Sequence, residues 1–482
     1  MQEPRIIQGG MGVGVSTHLL AGAVSRLGQL GVVSGTVLDQ VFVRRLQLGD
    51  PTGVVRQALA AFPDQDMAER ALAEYYSPGG LPPGSPFRRT PPLTLGPDHQ
   101  RVELVLLAAF VEIWLAKHGH HGVVGLNLLE KVQLPTLPSL YGAMLAGVDY
   151  VLMGAGIPRE IPGALDRLAA YEPAVLRIAA DGLASGEELT FRFDPREYLT
   201  LPSPLVRPKF LPVVSSATLA ANLARKSSGR VDGFVVEHYT AGGHNAPPRG
   251  GIKLDPLGQP IYGPRDEANL AGLRALGLPF WLGGSYGSPE RLAEALAGGA
   301  QGIQVGTLFA FCRESGFTDE IKRAVLALVR RGTVTVWTSA RFSPTGFPFK
   351  VIRMEGSLSE DAVFTARPRL CDLGYLRTPF KKPEGGFGFR CPAEPEQSYV
   401  AKGGLPEDTR GRRCLCNNLL AAIGLGQLQS GGYVEPELIT SGDDLTGVKQ
   451  LLDSCPGREM YDAADVLRYL LSTPASPGKT SA

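Results

Sequence analysis

From Arg5 to about Thr307, short and nearly unbroken apolar runs recur along the chain, and helix-like stretches follow most of them. The runs are RIIQ (5–8), GVVSG (31–35), GVVGLNLL (122–129), VDYVLM (148–153), FLPVVSS (210–216), DGFVVEH (232–238), PFWLGG (279–284) and GIQVG (302–306). Polar and apolar positions do not alternate within them, which is the pattern of parallel strands covered on both faces. LAGAVSRLG after the first run and SPERLAEALAGGA after the seventh read as helices. In the latter, Ser288 ahead of Pro289 and Glu290 forms an N-cap followed by a first-turn proline. Eight strand–helix units predict a (β/α)8 TIM barrel, with a doubly wound open sheet as the alternative. One further run, AVLRIAA (174–180), is followed by LTFRF (189–193), and the pair reads as an inserted hairpin ahead of the fifth strand. The competing reading makes 174–180 the fifth strand itself, and the count of strands does not choose between them.

Two insertions interrupt the alternation, at about 36–121 and 154–209. The first holds helical segments and the loop SPGGLPPGSPFRRTPPLTLGP (77–97), whose composition predicts an irregular, solvent-facing segment placed as a lid over the barrel mouth. Beyond about residue 355 regular periodicity fades. The expected organisation is therefore a barrel over 1–355 and a Cys- and Gly-rich C-terminal extension with short helices over 356–482. AADVLRYLL (463–471) is one of those helices, and the closing STPASPGKTSA is expected to be disordered.

Composition narrows the function classes. The chain of 482 residues is 44% hydrophobic with a formal net charge of +1, so no general field favours nucleic acid or an anionic membrane. Arg410, Arg412 and Arg413 read as a solvated face. The longest apolar run, LVLLAAFV (104–111), falls far short of the roughly 20 residues of a membrane span. It reads as a buried helix bracketed by Glu103 and Glu112. The first strand begins almost at Met1, with no secretory signal pattern, and a cytoplasmic protein acting on a small molecule is the expectation. The oligomeric state stays open.

The candidate chemistry lies at the ends of the strands. The first run ends in QGGMGVGVS (8–16), the sixth in AGGHN (241–245), the seventh in GGSYGS (283–288) and the eighth in VGT (305–307). In a (β/α)8 barrel the carboxyl ends of the strands form the active-site face, and glycine there lets backbone N–H groups approach a phosphate. A phosphate-bearing cofactor is the expectation.

At these residues the chain resembles the nitronate monooxygenase family, formerly the 2-nitropropane dioxygenases. The resemblance rests on IIQGGMGVGVST, GLNL with Asn127, VLMGAGIP, DGFVVEHYTAGGHN, PFWLGGS and GIQVGT, in order over about residues 5 to 310. SPTGFPFKV (343–351) resembles the segment that follows the barrel in that family. The resemblance implies an FMN-binding barrel. Gly10, Met11 and Asn127 would touch the flavin ring or ribityl chain. Gly242 and Gly243, with Gly283, Gly284 and Ser285, would line the phosphate end, completed by Gly306 and Thr307. His244 matches the family's histidine beside the flavin and would act as a base near neutral pH or orient an anion. Asn245 and Arg249, in a longer loop than simpler relatives carry, would remodel the substrate pocket, with Arg249 holding an anionic group. His120 and His121 precede the third strand, at the opposite end, and carry no catalytic role.

Four cysteines fall in the extension: Cys371, Cys391, Cys414 and Cys416. Thiolates suit zinc or an iron–sulfur cluster, although the spacing matches no standard signature, and the alternative is reduced thiols packed as small hydrophobes. Cys312 and Cys455 read as structural. Three functions remain: an FMN oxidoreductase that oxidises nitronates or similar carbanion-like substrates with oxygen, an FMN enoyl-type reductase using NAD(P)H, and a non-catalytic barrel subunit with a metal-stapled tail.

Overall fold

The computed structural model describes residues 3–96, 98–200 and 203–474. Eight parallel strands close into a barrel in sequential order: β1 (Ile6–Gln8), β2 (Leu30–Ser34), β3 (Val124–Leu129), β4 (Tyr150–Gly154), β5 (Lys209–Val214), β6 (Phe234–Glu237), β7 (Phe280–Gly283) and β8 (Gly302–Val305). Closure joins β1 to β8 through Ile6 opposite Ile303 and Gln8 opposite Val305. Ile7, Leu30, Val32, Tyr150, Leu152, Leu211, Val235 and Trp281 form the packed interior, as expected for a barrel that is a core and not a pore. Ser288 caps its helix as expected, accepting from the Arg291 amide.

Ala174–Arg177 and Thr190–Phe193 pair with each other in an antiparallel hairpin outside the barrel, so Lys209–Val214 is the fifth barrel strand. Burial explains the difference. The two hairpin strands alternate buried and exposed positions, whereas nearly every residue of β4 and β5 is covered.

Within the first insertion the helix His99–Lys117 is buried along almost all of its length. Of its two deep charges, Arg101 pairs with Asp39 at 2.9 Å, and Glu112 accepts from Arg45 at 2.6 Å and from the His18 backbone amide at 2.7 Å. Burial alone would raise this carboxyl, but the Arg45 guanidinium and His18 outweigh it and hold it well below the usual carboxylate range. Among the described residues, no helix is long and apolar enough to cross a membrane.

The loop expected to act as a lid does something else. Phe87 exchanges hydrogen bonds of 2.9 and 3.0 Å with Gln427, and Arg89 donates to Gln429 at 2.7 Å. The loop clasps the C-terminal extension, and none of its described residues lines the main cavity.

The segment that follows the last barrel strand and the extension together cover the barrel mouth. Strands β9 (Val336–Ser339) and β10 (Phe349–Ile352) form an antiparallel pair, and β10 also pairs with Gly243–His244 through Phe349 opposite His244. Downstream, Leu420 and Leu425 pack on Val13, Val37 and Val41 of the barrel top. A buried Arg367–Glu435 pair at 2.7 Å ties the extension together. Arg413 departs from the solvated reading. It is 3% exposed, bonds Asp361 at 2.6 Å and lies 3.9 Å from the centre of the Phe342 ring, while Arg410 is exposed as expected.

The metal expectation is corrected. Cys371, Cys391, Cys414 and Cys416 border one small space, yet among the described residues no group of three or more His, Cys, Asp or Glu side chains is arranged to hold a metal ion. Cys391, Cys414 and Cys416 are buried in an apolar cluster, and burial pushes the Cys414 thiol up to about 11 and Cys416 well upward. Protonated thiols of this kind pack as small hydrophobes. Cys312 is fully buried in the main core and Cys455 partly so. Residues 475–482, most of the segment expected to be disordered, lie outside the described residues.

Replacing Glu112 with Ala leaves Arg45 and His18 facing an uncompensated, buried gap. Equilibrium denaturation is expected to show a loss of about 3 kcal/mol at pH 7. The loss shrinks as pH falls below about 4.5, because a carboxylate with a depressed folded-state pKa contributes its stability only above its unfolded value.

Candidate active site

At the carboxyl ends of the strands lies a cavity of about 210 Å³, walled by Gly9–Val13 after β1, Asn127 in β3, Glu237 at the end of β6, Ala241–His244 beyond it, and Gln304, Gly306 and Thr307 around β8. It is on the small side for a cofactor site, where about 300 Å³ and upward is usual. The tail segment Thr440–Gly442 contributes to the wall and closes the Gly242 side. A Cβ at Gly242 would lie 2.8 Å from the Ser441 carbonyl carbon, so only glycine lets these two segments meet.

The sequence after β6 turns sharply to reach this wall. His238 donates its amide to Gly283 at 2.9 Å, and the Ala241 amide bonds back to the His238 carbonyl at 3.1 Å. Gly243 has φ +76°, a left-handed conformation that favours glycine, and the space on its Cβ side is open. That turn sets His244 against β10. Its Nε2 shares a 2.7 Å hydrogen bond with Ser343 Oγ, and its ring meets Phe349 edge-on at 4.8 Å. Asn127 Nδ2 donates to the Gly10 carbonyl at 3.0 Å, and the Met11 amide donates to Ser16 Oγ at 2.9 Å, which fixes the β1 loop.

Gly10, Met11, Asn127, Gly242, Gly243, His244, Gly306 and Thr307 are thus brought to one cavity. Gly283, Gly284 and Ser285 are not among the residues lining it. A Cβ at Gly284 would lie 2.9 Å from His238 Cβ, so this glycine admits His238 against the β7 end. Asn245 is buried behind the turn, where its Nδ2 donates to the Ala241 carbonyl at 2.9 Å. Arg249 lies outside the cavity and spends its guanidinium on the carbonyls of Arg265 and Ser215. Thr307 Oγ1 accepts from the Gly442 amide at 3.0 Å, a partner supplied by the tail that sequence reasoning did not foresee. Glu237, Gln304 and Ser343 were missed as well. Strand parity would have found Glu237, because Val235 points into the barrel and the residue two further on shares its face.

Burial sets the charge state of both ionisable groups in the cavity. His244 is lowered to about 4 and Glu237 is raised to about 7, each by burial. A histidine titrating near neutrality, as expected from its type alone, is therefore not what this site holds: His244 is uncharged at pH 7.

The residues fit an FMN at the ring end. Backbone and glycine wall one side, the open face of Gly243 admits a ligand atom, and Asn127 stands where an amide can meet a polar ring edge. A phosphate placed beside Gly242 and Thr307 must contact or move Thr440–Gly442.

Comparisons with known proteins bear on what occupies such a site. No family model matches the chain. It is 27% identical over 343 residues to (3aS,4S,5R,7aS)-5-hydroxy-7a-methyl-1-oxo-octahydro-1H-indene-4-carboxyl-CoA dehydrogenase of Mycobacterium tuberculosis, covering 68% of this chain and 84% of that one. It is 28% identical over 183 residues to nitronate monooxygenase of Paraburkholderia phytofirmans, covering 37% of this chain and 46% of the relative, less than half of its length. Over those 183 residues the chain is similar to nitronate monooxygenase. Among solved structures, FabK from Thermotoga maritima matches with a TM-score of 0.46 at 16% identity, over 98% of this chain and 92% of that one. Nitroalkane oxidase from Streptomyces ansochromogenes matches with a TM-score of 0.42 at 16% identity, over 97% and 94%.

The charge state of His244 can be read from stability. Its folded-state pKa is depressed, so its contribution is complete above pH 6.5 and is lost as pH falls through about 4. The stability difference between wild type and His244→Asn is expected to fall by about 3 kcal/mol between pH 7 and pH 4, measured by urea unfolding. A difference independent of pH would mean that His244 is not buried in this way.

Proposed function

We propose that this chain is an FMN-dependent oxidoreductase acting on a small carbon acid, a substrate whose reacting carbon is acidified by a neighbouring nitro or carbonyl group. The observation that carries the reading is the Gly242–His244 turn, which brings an open glycine face and an uncharged imidazole to one glycine-walled cavity at the barrel's active-site face. The two relatives in sequence support it, since one is named a monooxygenase of nitronates and the other a dehydrogenase of a carboxyl-CoA.

In this reading Asn127, Met11 and the Gly242–Gly243 backbone hold the flavin ring, and Thr307 with the neighbouring amides meets the phosphate end. FMN, when bound, supplies the electron transfer. The protein's part is placement. Ser343 fixes the His244 ring through Nε2, and among the described residues Nδ1 has no protein partner, leaving it for the substrate. A neutral imidazole can accept a proton from a neutral nitroalkane or from the carbon beside a thioester. An anionic nitronate needs no base, and His244 then orients it. The first reading is oxidation of nitronates or similar carbanion-like substrates with oxygen. The coverage of the carboxyl-CoA dehydrogenase favours a second, hydride exchange beside a thioester carbonyl with NAD(P)H as donor.

Three measurements test this. The purified protein is expected to show flavin absorbance bands, whereas a colourless protein that fails to take up FMN would support a non-catalytic barrel subunit instead. Gly243→Asn, which adds a side chain on the open side and tolerates the left-handed backbone, is expected to lose FMN while keeping its fold; full occupancy would overturn the assigned placement. His244→Asn is expected to keep FMN and lower turnover of neutral substrates about a hundredfold. Anaerobic mixing separates the two substrate readings: bleaching by propionate 3-nitronate supports the first, and bleaching by NADPH alone supports the second.

A further inference from the structure

The cysteine-bearing extension reaches the main cavity at a second point besides Thr440–Gly442. Leu419, on the helix Leu415–Ala421, lines it. That helix is held firmly by its other residues. Leu415, Cys416, Asn417, Asn418 and Leu420 are buried, whereas Leu419 is half-buried. Asn417 Nδ2 donates to Asp372 at 2.6 Å, Asn418 Nδ2 donates to the Pro436 carbonyl at 2.5 Å, and the Asn418 carbonyl accepts from the Leu438 amide at 3.0 Å. Just past the helix, Ile423 enters the loop after β1. Gly14 there has φ +60°, and a Cβ on it would lie 2.5 Å from Ile423 Cδ1. Gly14 thus admits the extension beside Val13. Leu419 packs against two apolar clusters at once. One holds Val13, Val37 and Leu420, and the other holds Phe342 and Phe349, whose ring meets His244 edge-on. A rigid element therefore presents Leu419 between the β1 loop and the strand that flanks the imidazole.

The surroundings of Leu419 decide what can lie beneath it. Val13, Leu129, Val213 and Phe349 bring apolar side chains to the same cavity, and no lysine or arginine is among the described residues lining it. Arg249, expected to hold an anionic group, is committed to the carbonyls of Arg265 and Ser215. An anionic substituent entering this space would lose its hydration without meeting a cation, whereas a hydrocarbon chain binds about fourfold more tightly for each methylene buried.

We propose that Leu419 is a specificity-determining residue: it closes the apolar end of the cavity and limits the length of an uncharged hydrocarbon chain borne by the reacting carbon. This inference rests on the carbon-acid reading above and narrows its substrate class to carbon acids that carry such a chain. It also gives the extension a part in substrate selection. A chain gains affinity with each carbon until its end meets Leu419, and further carbons then add nothing.

Calorimetric titration with straight-chain primary amides, butanamide to octanamide, reads the chain without any chemical step. Wild type is expected to bind about fourfold more tightly per added methylene up to one length and to gain nothing beyond it. Leu419→Ala is expected to move that length up by about two carbons, so that it binds the longest amides about tenfold more tightly than wild type and the shortest more weakly. Leu419→Phe is expected to move it down. A residue that only supports the fold would weaken every amide by one common factor. That result, a length limit shared by all the proteins, or no binding to wild type would overturn the proposal. If Leu419→Ala fails to fold by near-ultraviolet circular dichroism, Leu419→Val is expected to shift the limit in the same direction by about one carbon. Adipamate, which is hexanamide with a carboxylate at the far end of its chain, is expected to bind wild type about tenfold more weakly than hexanamide, and equal affinity would overturn the assignment of an uncharged chain. Failure of every protein to take up FMN would overturn the function proposed above. The amide titrations need no flavin, so they decide the role of Leu419 separately.

Discussion

Closure of the sheet is the constraint on which the rest depends. Pairing of Ile6 with Ile303 and Gln8 with Val305 joins the start of the barrel to its last strand. Every strand then points the same way, and the loops after β1, β6 and β8 arrive at one rim. Parallel strands with both faces covered leave no polar groups in the barrel interior except at its ends. The lower end is closed by Trp281, whose Nε1 donates to the Pro4 carbonyl at 2.8 Å. The upper end is where Glu237 stands, and where the site is built.

Desolvation then does the chemical work. A barrel mouth that excludes water shifts a carboxylic acid and an imidazole in opposite directions on the pH scale but toward the same uncharged state. The segment between the barrel and the extension strengthens this by roofing the mouth. Its strand β10 pairs with the His244 turn, and Ser343, between β9 and β10, supplies the bond that orients the imidazole. In the extension the same burial raises the Cys414 and Cys416 thiols, which pack in an apolar cluster.

Much of this was legible in the sequence. Unbroken apolar runs such as FVVE and FWLG announce strands buried on both faces, whereas the place of 174–180 stayed open until its antiparallel pairing with Thr190–Phe193 decided it. Glycine at the strand ends pointed to the rim, and six of the glycines and neighbours named there do line the cavity alongside Asn127 and His244. What could not be read was pairing between distant segments. Nothing in GGSYGS says that Gly284 will admit His238, and nothing near ITSGDD says that Gly442 will reach Thr307. Nor does a histidine carry its own pKa: burial, to which the edge-on Phe349 ring of β10 contributes, lowers that of His244. Loop 77–97 was misplaced for the same reason, since its partner, Gln427, lies 340 positions away.

The bond between Gly442 and Thr307 spans 135 positions, and it has a consequence for biosynthesis. All eight strands leave the ribosome well before the segment that finishes the cavity wall. The cavity wall acquires its final shape only when that segment docks, and the helical residues after it, Val448, Leu451, Val466 and Leu467 among them, complete the core around the barrel. A cut between Thr307 and Gly442 would leave the cavity wall dependent on two separate pieces of chain held together by packing alone.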